Sequence, residues 1–345
     1  MRTIYSEKHK LRNPEFELSG GVFVPPYECP ERAEIVLARA QAQGLGPVDG
    51  PKAYGLDPVL RVHDSDYVNF LETCFEEWKA AGNAGDAMAL CWPTRTMSSP
   101  RVPRSIGGRL GHYALALDAS ISDGTWEAAL ASKDVALTAM DHVLAGDQAA
   151  FGLCRPPGHH AAADQFGGYC FLNNAAIAAQ RALDQGACKI ALLDVDFHHG
   201  NGTQHIFYER DDVLFLSLHG DPMDAFPYFL GHADETGSGP GEGFTANYPM
   251  APGTGYDEWK TMLLQACHRI ADYAPDMLVV SLGVDTFERD PISFFKLSSD
   301  DFSDYGRLLG EMGLPTVYLM EGGYAVDEIG INTVNVLQGH DSALA

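Results

Sequence analysis

The chain has 345 residues, of which 46% are hydrophobic and 20% are charged, a balance that excludes a disordered, collagen-like or coiled-coil protein. Its 47 acidic and 23 basic side chains give a formal net charge of -24. Nucleic acid and anionic membrane surfaces are therefore disfavoured as partners, whereas cationic ligands would be attracted.

The amino-terminal segment interleaves charged and polar groups with single apolar residues, so it lacks the apolar run of a signal peptide. No stretch approaches the ~18 apolar residues of a membrane span. The seven cysteines are dispersed and contain no C-x-x-C pair, which indicates neither a disulfide framework nor a thiolate zinc site. We therefore expect a protein of the reducing cytoplasm.

No internal repeat, low-complexity tract or long run of like charge marks a linker, which predicts a single domain over residues 1–345. The one irregular stretch is residues 82–103, whose second half carries three prolines and two arginines without periodicity. This composition predicts a long excursion from the domain surface.

Apolar runs rich in β-branched residues predict five strands, at 149–154, 189–193, 212–218, 277–282 and 316–320. Amphipathic stretches predict helices at 174–185, 256–273 and 300–312. This alternation predicts an α/β fold with a central, mostly parallel sheet flanked by helices on both faces.

Residues that can carry chemistry follow all five predicted strands. The segments are R-P-P-G-H-H (155–160), D-V-D-F-H-H (194–199), H-G-D (219–221), G-V-D-T (283–286) and E-G-G-Y (321–324). Ligands of open α/β sheets bind beyond the carboxyl ends of the strands. These side chains are therefore predicted to converge on one active site.

Two of these segments supply candidate metal ligands. Because side chains alternate in an extended segment, Asp194, Asp196 and His198 share one face, and Asp285 follows another strand. Two carboxylates and one imidazole leave open coordination positions, as in a catalytic zinc site, and the oxygen-rich set would also suit Fe²⁺ or Co²⁺. An isolated D-x-H pair is more often structural, but Asp285 and the surrounding motifs favour a metal.

Three further side chains suit proton transfer and oxyanion binding. His159 and His160 follow a rigid Pro-Pro-Gly turn, and imidazole titrates near neutral pH. Tyr324 lies in a glycine-containing turn, and its hydroxyl could donate to a developing oxyanion, although a lone tyrosine is more often a packing residue. With the metal cluster, these residues predict metal-assisted addition of water to a carbonyl.

Together with G-G-Y-C-F-L-N-N at 167–174 and L-H-G-D-P at 218–222, these motifs resemble those of the zinc-dependent histone deacetylase superfamily. Within it, the chain looks most like the bacterial acetylpolyamine amidohydrolases. The resemblance implies a single-domain arginase-deacetylase fold with zinc at Asp196, His198 and Asp285.

The resemblance also implies roles for other residues. The catalytic residues would be His159, His160 and Tyr324, with His160 as the general base. An aromatic crevice would be lined by Tyr169, Phe226 and Gly168. A structural K⁺ would be held by the side chains of Asp194 and Ser217 and by the backbone carbonyls of Asp196, His198 and Leu218.

One position departs from the family pattern. An aspartate commonly backs the second histidine, but this chain has Asn201 there. His160 should therefore be less cationic. The resemblance also implies that Asp194 orients His159.

The polyamine branch carries an acidic residue in the segment that corresponds to residues 116–122. The resemblance therefore implies that Asp118 contacts the ammonium group at the far end of the substrate. An equally good interpretation is that Asp118 is an exposed aspartate on a helix without a role in binding. A second acidic position of that branch aligns with Gly107, which weakens a preference for long polyamines. Residues 82–103 correspond to a loop that in this branch builds a dimer and narrows the mouth, so a homodimer is expected.

The main hypothesis is hydrolysis of small cationic N-acetylated amines such as acetylputrescine, acetylcadaverine or acetylspermidine. The alternative is a protein-lysine or other acyl-amide deacetylase. A binuclear manganese ureohydrolase would need D-x-H-x-D and a carboxylate where Phe287 stands. A non-catalytic acyl-amine sensor is disfavoured because every ligand and the tyrosine are present.

Overall fold

The protein is described by a computed structural model that covers residues 1–97 and 101–344. The strands are β1 (Arg2–Ile4), β2 (Glu17–Ser19), β3 (Val22–Val24), β4 (Val48–Asp49), β5 (Ala149–Gly152), β6 (Ile190–Asp194), β7 (Val213–Gly220), β8 (Thr245–Met250), β9 (Met277–Leu282) and β10 (Thr316–Met320). The helices are α1 (Pro30–Ala42), α2 (Asp57–Leu60), α3 (Ser65–Ala80), α4 (Ile106–Tyr113), α5 (Thr125–Leu144), α6 (Asn174–Asp184), α7 (Asn201–Phe207), α8 (Tyr256–Tyr273), α9 (Ser299–Gly310) and α10 (Val326–Ala343). Two short 3-10 helices span Glu7–Leu11 and Gly239–Gly241.

One sheet of eight strands runs through the molecule in the order β4-β1-β5-β10-β9-β6-β7-β8. Every neighbouring pair in it is parallel. Strands β2 and β3 form a separate antiparallel hairpin. The predicted α/β fold with a parallel sheet is confirmed, and the five predicted strands and three predicted helices agree with the structure to within two residues at each end.

The alternation of side chains along the central strands gives the protein two cores. Leu192 and Val279 pack on the face covered by α5 and α6. Leu193 and Val280 point to the other face, which α1, α8, α9 and α10 cover. Because both faces are buried, the central strands consist of nearly continuous apolar residues, which made them recognisable from the sequence.

The outer strands were not predicted. Strands β1 and β4 have three and two residues, too few to show a period. Strand β8 contains Asn247 and Pro249, residue types that are uncommon within strands, and it lies at the edge of the sheet, where proline is tolerated. These strands form through pairing with longer neighbours rather than through local propensity.

The predicted excursion lies in a part of the chain that has neither helix nor strand at residues 82–97 and 101–103; residues 98–100 of it lie outside the described residues. Trp92 anchors the segment, since its indole N–H donates to the Ala114 carbonyl at 2.9 Å. Leu90 is 85% exposed. The role of this loop in a dimer stays a prediction.

Within the described residues, no helix combines the length and the apolar character that crossing a membrane requires. The expected cytoplasmic location stays a prediction.

Candidate active site

The candidate site lies where four adjacent strands end. Strands β5, β10, β9 and β6 are neighbours in the sheet and all parallel, so their carboxyl ends share one edge. The segments that follow these ends carry His159 and His160, Tyr324, Asp285, and Asp196 with His198, in that order across the sheet. The structure thus brings four of the five predicted segments together at this edge. In the fifth, residues 219–221, the His219 ring instead bonds Ser217 and the Gly231 carbonyl.

Asp196, His198 and Asp285 form a compact buried cluster in which one ligand atom from each lies within 4.8 Å of the other two. His198 Nδ1 is 2.9 Å from Asp285 Oδ2 and 3.3 Å from Asp196 Oδ1. Backbone N–H groups hold the carboxylates: Phe197 donates to Asp285 at 2.7 Å, and Gly322 donates to Asp196 at 2.7 Å. The cluster is therefore fixed by the backbone of two different strand ends.

The donor set fits a divalent cation. Burial and the nearby Asp196 carboxylate raise the pKa of Asp285 to about 8, because two negative charges are unfavourable close together in a dry environment. A divalent cation would offset both charges. A Cβ atom at Gly283 or Gly322 would overlap these carboxylates, so glycine is required at both positions to leave room for the cluster.

The tandem histidines occupy opposite electrostatic environments. His159 Nδ1 donates to Asp194 Oδ2 at 2.9 Å. Burial alone would lower the pKa of His159, but the Asp194 and Asp196 carboxylates raise it to about 10. His160 Nδ1 instead donates to the neutral Asn201 Oδ1 at 2.6 Å. Burial and the neighbouring His159 and His198 rings hold the pKa of His160 well below its usual range, so His160 is the neutral member of the pair.

A buried glutamate that the sequence analysis did not single out positions the tandem histidines. Glu321 accepts from the Gly158 N–H at 2.6 Å and from the His159 N–H at 3.2 Å. Burial raises its pKa to about 7. It also lies with His159 and Cys170 in a second group of potential ligand atoms. Burial raises the pKa of the Cys170 thiol well above its usual range, which disfavours the thiolate that a metal would need.

Tyr324 is 6% exposed and lines the same cavity as His160 and His198. The Arg32 guanidinium lies over its ring at 4.7 Å, and the Tyr169 ring centroid is 5.6 Å away. Burial raises the pKa of Tyr324 well above its usual range. The hydroxyl therefore keeps its proton and can act as a hydrogen-bond donor.

A cavity of about 260 Å³ leads to the cluster. Its walls include the predicted crevice residues Gly168, Tyr169 and Phe226, together with Asp118. The Phe226 ring stands at 84° to the His160 ring with their centroids 5.1 Å apart. A side chain at Gly168 would overlap the His160 ring, and its φ of +54° also favours glycine.

Two carboxylates hold the crevice wall formed by Gly168 and Tyr169. Asp118 Oδ1 accepts from the Gly168 N–H at 2.9 Å. Glu17, which the sequence analysis did not identify, accepts from the Tyr169 hydroxyl at 3.2 Å. Burial raises the pKa of Asp118 to about 6 and that of Glu17 to about 7. Asp118 thus supports the backbone of the crevice wall in addition to lining the cavity. The role of Glu17 could not be predicted, because a single glutamate in a short strand forms no recognisable motif.

Some of the residues predicted to bind potassium lie close together. Asp194 and Ser217 are aligned partners on neighbouring strands, and Asp194 Oδ1 accepts from the Asp196 N–H at 3.1 Å. Ser217 Oγ lies 2.8 Å from His219 Nδ1. The potassium site, including the carbonyls of His198 and Leu218, stays a prediction.

Comparisons with known proteins agree with this geometry. The histone deacetylase domain family matches residues 26–339. An acetylpolyamine amidohydrolase of Mycoplana ramosa is 58% identical over 98% of this chain and 99% of its own length. Acetylpolyamine amidohydrolase 1 of Pseudomonas aeruginosa is 54% identical over 99% of both chains.

Among solved structures, the acetylpolyamine aminohydrolase of Burkholderia pseudomallei superimposes with a TM-score of 0.94 at 39% identity, covering 99% of both chains. The chain therefore belongs to the histone deacetylase domain family. The fold expected from the sequence resemblance is confirmed.

The contrast between the two histidines can be tested with Asn201→Asp. A carboxylate in place of the amide stabilises the imidazolium, so the pKa of His160 should rise by about one to two units. NMR titration of histidine-labelled, Zn²⁺-loaded protein measures this shift. Asn69→Asp adds the same charge at an exposed position on α3 and should leave His160 unchanged. An unchanged His160 titration in Asn201→Asp would show that Asn201 does not set its protonation.

Proposed function

We propose that this chain is a metal-dependent deacetylase that hydrolyses N-acetylated polyamines or diamines to free amine and acetate. Acetylputrescine, acetylcadaverine and acetylspermidine are the candidate substrates. The observation that carries this proposal is the buried cluster of Asp196, His198 and Asp285 at the base of a cavity that also holds His160 and Tyr324. Near-full-length relatives named acetylpolyamine amidohydrolases support it.

In this proposal Asp196, His198 and Asp285 hold the catalytic metal, with Zn²⁺ as the first choice and Fe²⁺ or Co²⁺ as chemically suitable alternatives. When bound, such an ion polarises a carbonyl and lowers the pKa of water. Because His198 also lines the cavity, an ion held by these three residues would be within reach of an acetyl group bound there.

The proton transfers are assigned to His160. A general base has to be unprotonated before it reacts, and His160 is the neutral histidine of the pair. It would take the proton of the attacking water and then protonate the leaving amine. His159, oriented by Asp194 at 2.9 Å, would stay cationic and stabilise negative charge. The Tyr324 hydroxyl would donate a hydrogen bond to the carbonyl oxygen as its charge develops.

Substrate choice follows from the shape and charge of the cavity. The rings of Tyr169 and Phe226 would flank the methylene chain of the substrate. Gly168, which has no side chain, would leave space for this chain in the crevice. The free oxygen of Asp118 would receive an ammonium group at the far end of the chain. The overall charge of -24 would raise the local concentration of such cations.

Two further assignments belong to this proposal. Residues 82–103 would narrow the mouth and pair with a second copy to form a homodimer, for which the exposed Leu90 offers apolar surface. A structural K⁺ would be bound by the side chains of Asp194 and Ser217 and by the backbone carbonyls of Asp196, His198 and Leu218.

Rival activities are less well supported. A protein-lysine deacetylase would use the same cluster, and only the cavity mouth distinguishes the two activities. A binuclear ureohydrolase would need a carboxylate at position 287, but Phe287 is 2% exposed and packs in the core. The second metal of such an enzyme would have no ligand there.

The metal assignment can be tested with Asp285→Asn. The wild-type protein should bind about one catalytic Zn²⁺ per chain. Asp285→Asn should weaken this binding by more than about 100-fold, because a ligand contributes at least as much as the groups that support it, and should abolish deacetylation. Metal analysis and turnover after reconstitution measure both effects. Asp211→Asn, at an exposed position before β7, is the control and should bind and react normally. Full activity of thoroughly metal-free wild-type protein would contradict the assignment.

The role of Asp118 can be tested with Asp118→Asn. The amide oxygen can still accept the Gly168 N–H, so the wall should remain while the charge is lost. The KM for acetylputrescine should rise about fivefold, as expected for a partly exposed ion pair worth about 1 kcal/mol. The KM for N-butylacetamide, which lacks the ammonium, should not change. Asp224→Asn removes another carboxylate of the cavity wall. It is the control that separates a specific contact of Asp118 from the general effect of removing one negative charge near the cavity. Equal losses for both substrates would mean that Asp118 only supports the wall.

A further inference from the structure

The backbone that carries Tyr324 is tied to a neighbouring segment by one buried carboxylate. Asp290 is 7% exposed. Its Oδ2 accepts from the Tyr324 N–H at 2.7 Å and from the Ala325 N–H at 3.3 Å. Its Oδ1 accepts from the Ile292 N–H at 3.1 Å. The carboxylate therefore joins the segment after β9 to the segment after β10.

The Tyr324 segment depends on such ties because it has no regular structure between the end of β10 and the start of α10. Gly322 and Gly323 precede the tyrosine, and Gly323 has a φ of +129°, a conformation that glycine adopts readily. Arg32 holds the upstream side by donating to the Gly323 carbonyl at 2.7 Å. Among the described residues, Asp290 is the only side chain that bonds the backbone of Tyr324 itself.

The hydroxyl end of Tyr324 has no comparable restraint. Within the described part of the chain, no group forms a hydrogen bond with this hydroxyl, and its ring is contacted by Arg32 and Tyr169. The position of the hydroxyl over the cavity therefore depends on where the backbone is held. A displacement of about 1 Å at a reacting group can lower a rate by about 10²-fold.

Asp290 also connects the tyrosine to the cavity wall. Ile292, which it holds, and Phe294 both line the cavity. The Phe294 ring packs edge-on against Phe197 with centroids 4.7 Å apart. Asp290 further lies at the amino-terminal end of α10, where the N-cap residue Ala325 provides no side-chain cap and a negative charge is favourable.

We infer that Asp290 is a positioning residue for the reaction: its carboxylate holds the Tyr324 backbone so that the hydroxyl meets the carbonyl oxygen of the substrate. This inference rests on the proposed function and adds a residue to it. Asp290 is not among the residues that line the cavity, so we expect its effect on the oxyanion contact of Tyr324 and not on metal binding. In Asp290→Asn the retained amide oxygen can still accept the Ile292 N–H, so the cavity wall and substrate binding should be preserved.

The test is Asp290→Asn, which keeps the size of the side chain but turns one acceptor into an NH₂ group facing backbone N–H donors. The kcat for acetylputrescine should fall about 10-fold, KM should stay within about twofold, and the Zn²⁺ content should be normal. Tyr324→Phe alone should lower kcat by about 10² to 10³. In the Tyr324→Phe background, Asp290→Asn should have almost no further effect, because the hydroxyl that it positions is gone.

A matched control exists at the opposite edge of the sheet. Asp276 accepts from the Cys188 and Lys189 N–H groups at 2.6 and 3.0 Å and so also joins two segments, before β6 and β9. Asp276→Asn should leave kcat unchanged. Thermal unfolding of both variants separates a loss of stability from a loss of positioning.

If Asp290→Asn folds poorly, Asp290→Glu retains the charge but moves the acceptors by one methylene, and its loss of kcat should likewise vanish in the Tyr324→Phe background. A wild-type kcat in the Asp290 variants, or a loss that is multiplied in the Tyr324→Phe background, would overturn the inference. Failure of the proposed function is seen separately, as wild-type protein that binds Zn²⁺ but hydrolyses neither acetylputrescine nor acetyl-lysine peptides.

Discussion

The close burial of two carboxylates, Asp196 and Asp285, is the constraint on which the rest of the site depends. They follow β6 and β9, which are neighbours in the parallel sheet, so the fold itself brings the two charges together. Backbone N–H groups offset part of this charge, and a divalent cation would offset the remainder. Gly283 and Gly322 are needed because any side chain there would enter the space of the carboxylates.

The neighbouring groups are arranged around this concentration of negative charge. His159 lies against Asp194 and is held as a cation, whereas His160 lies against a neutral amide and remains an acceptor. Tyr324 follows β10, the strand beside β5, and its hydroxyl keeps its proton. Burial, the nearby carboxylates and the neutral Asn201 amide thus give adjacent residues different protonation states, which hydrolysis of an amide requires.

The central strands and the cluster could be predicted from the sequence because both depend on local patterns. Apolar runs mark strands that are buried on both faces, and parallel strands place their following residues at one edge. Glu17 and Glu321 could not be predicted as supporting groups because each bonds to residues far away in the chain. The bond between Asp118 and the Gly168 N–H could not be predicted either, since such contacts depend on how loops pack and leave no characteristic spacing in the sequence.

The proposal that the chain deacetylates small cationic amines is tested most directly by comparing kcat/KM of Zn²⁺-loaded wild-type protein for acetylputrescine with that for an acetyl-lysine peptide. The acidic wall of the cavity, which includes Asp118 and Asp224, predicts that acetylputrescine is preferred by more than about 10-fold, a difference of about 1.4 kcal/mol in transition-state binding. A preference for the acetyl-lysine peptide would contradict the account and favour a protein deacetylase built on the same metal cluster.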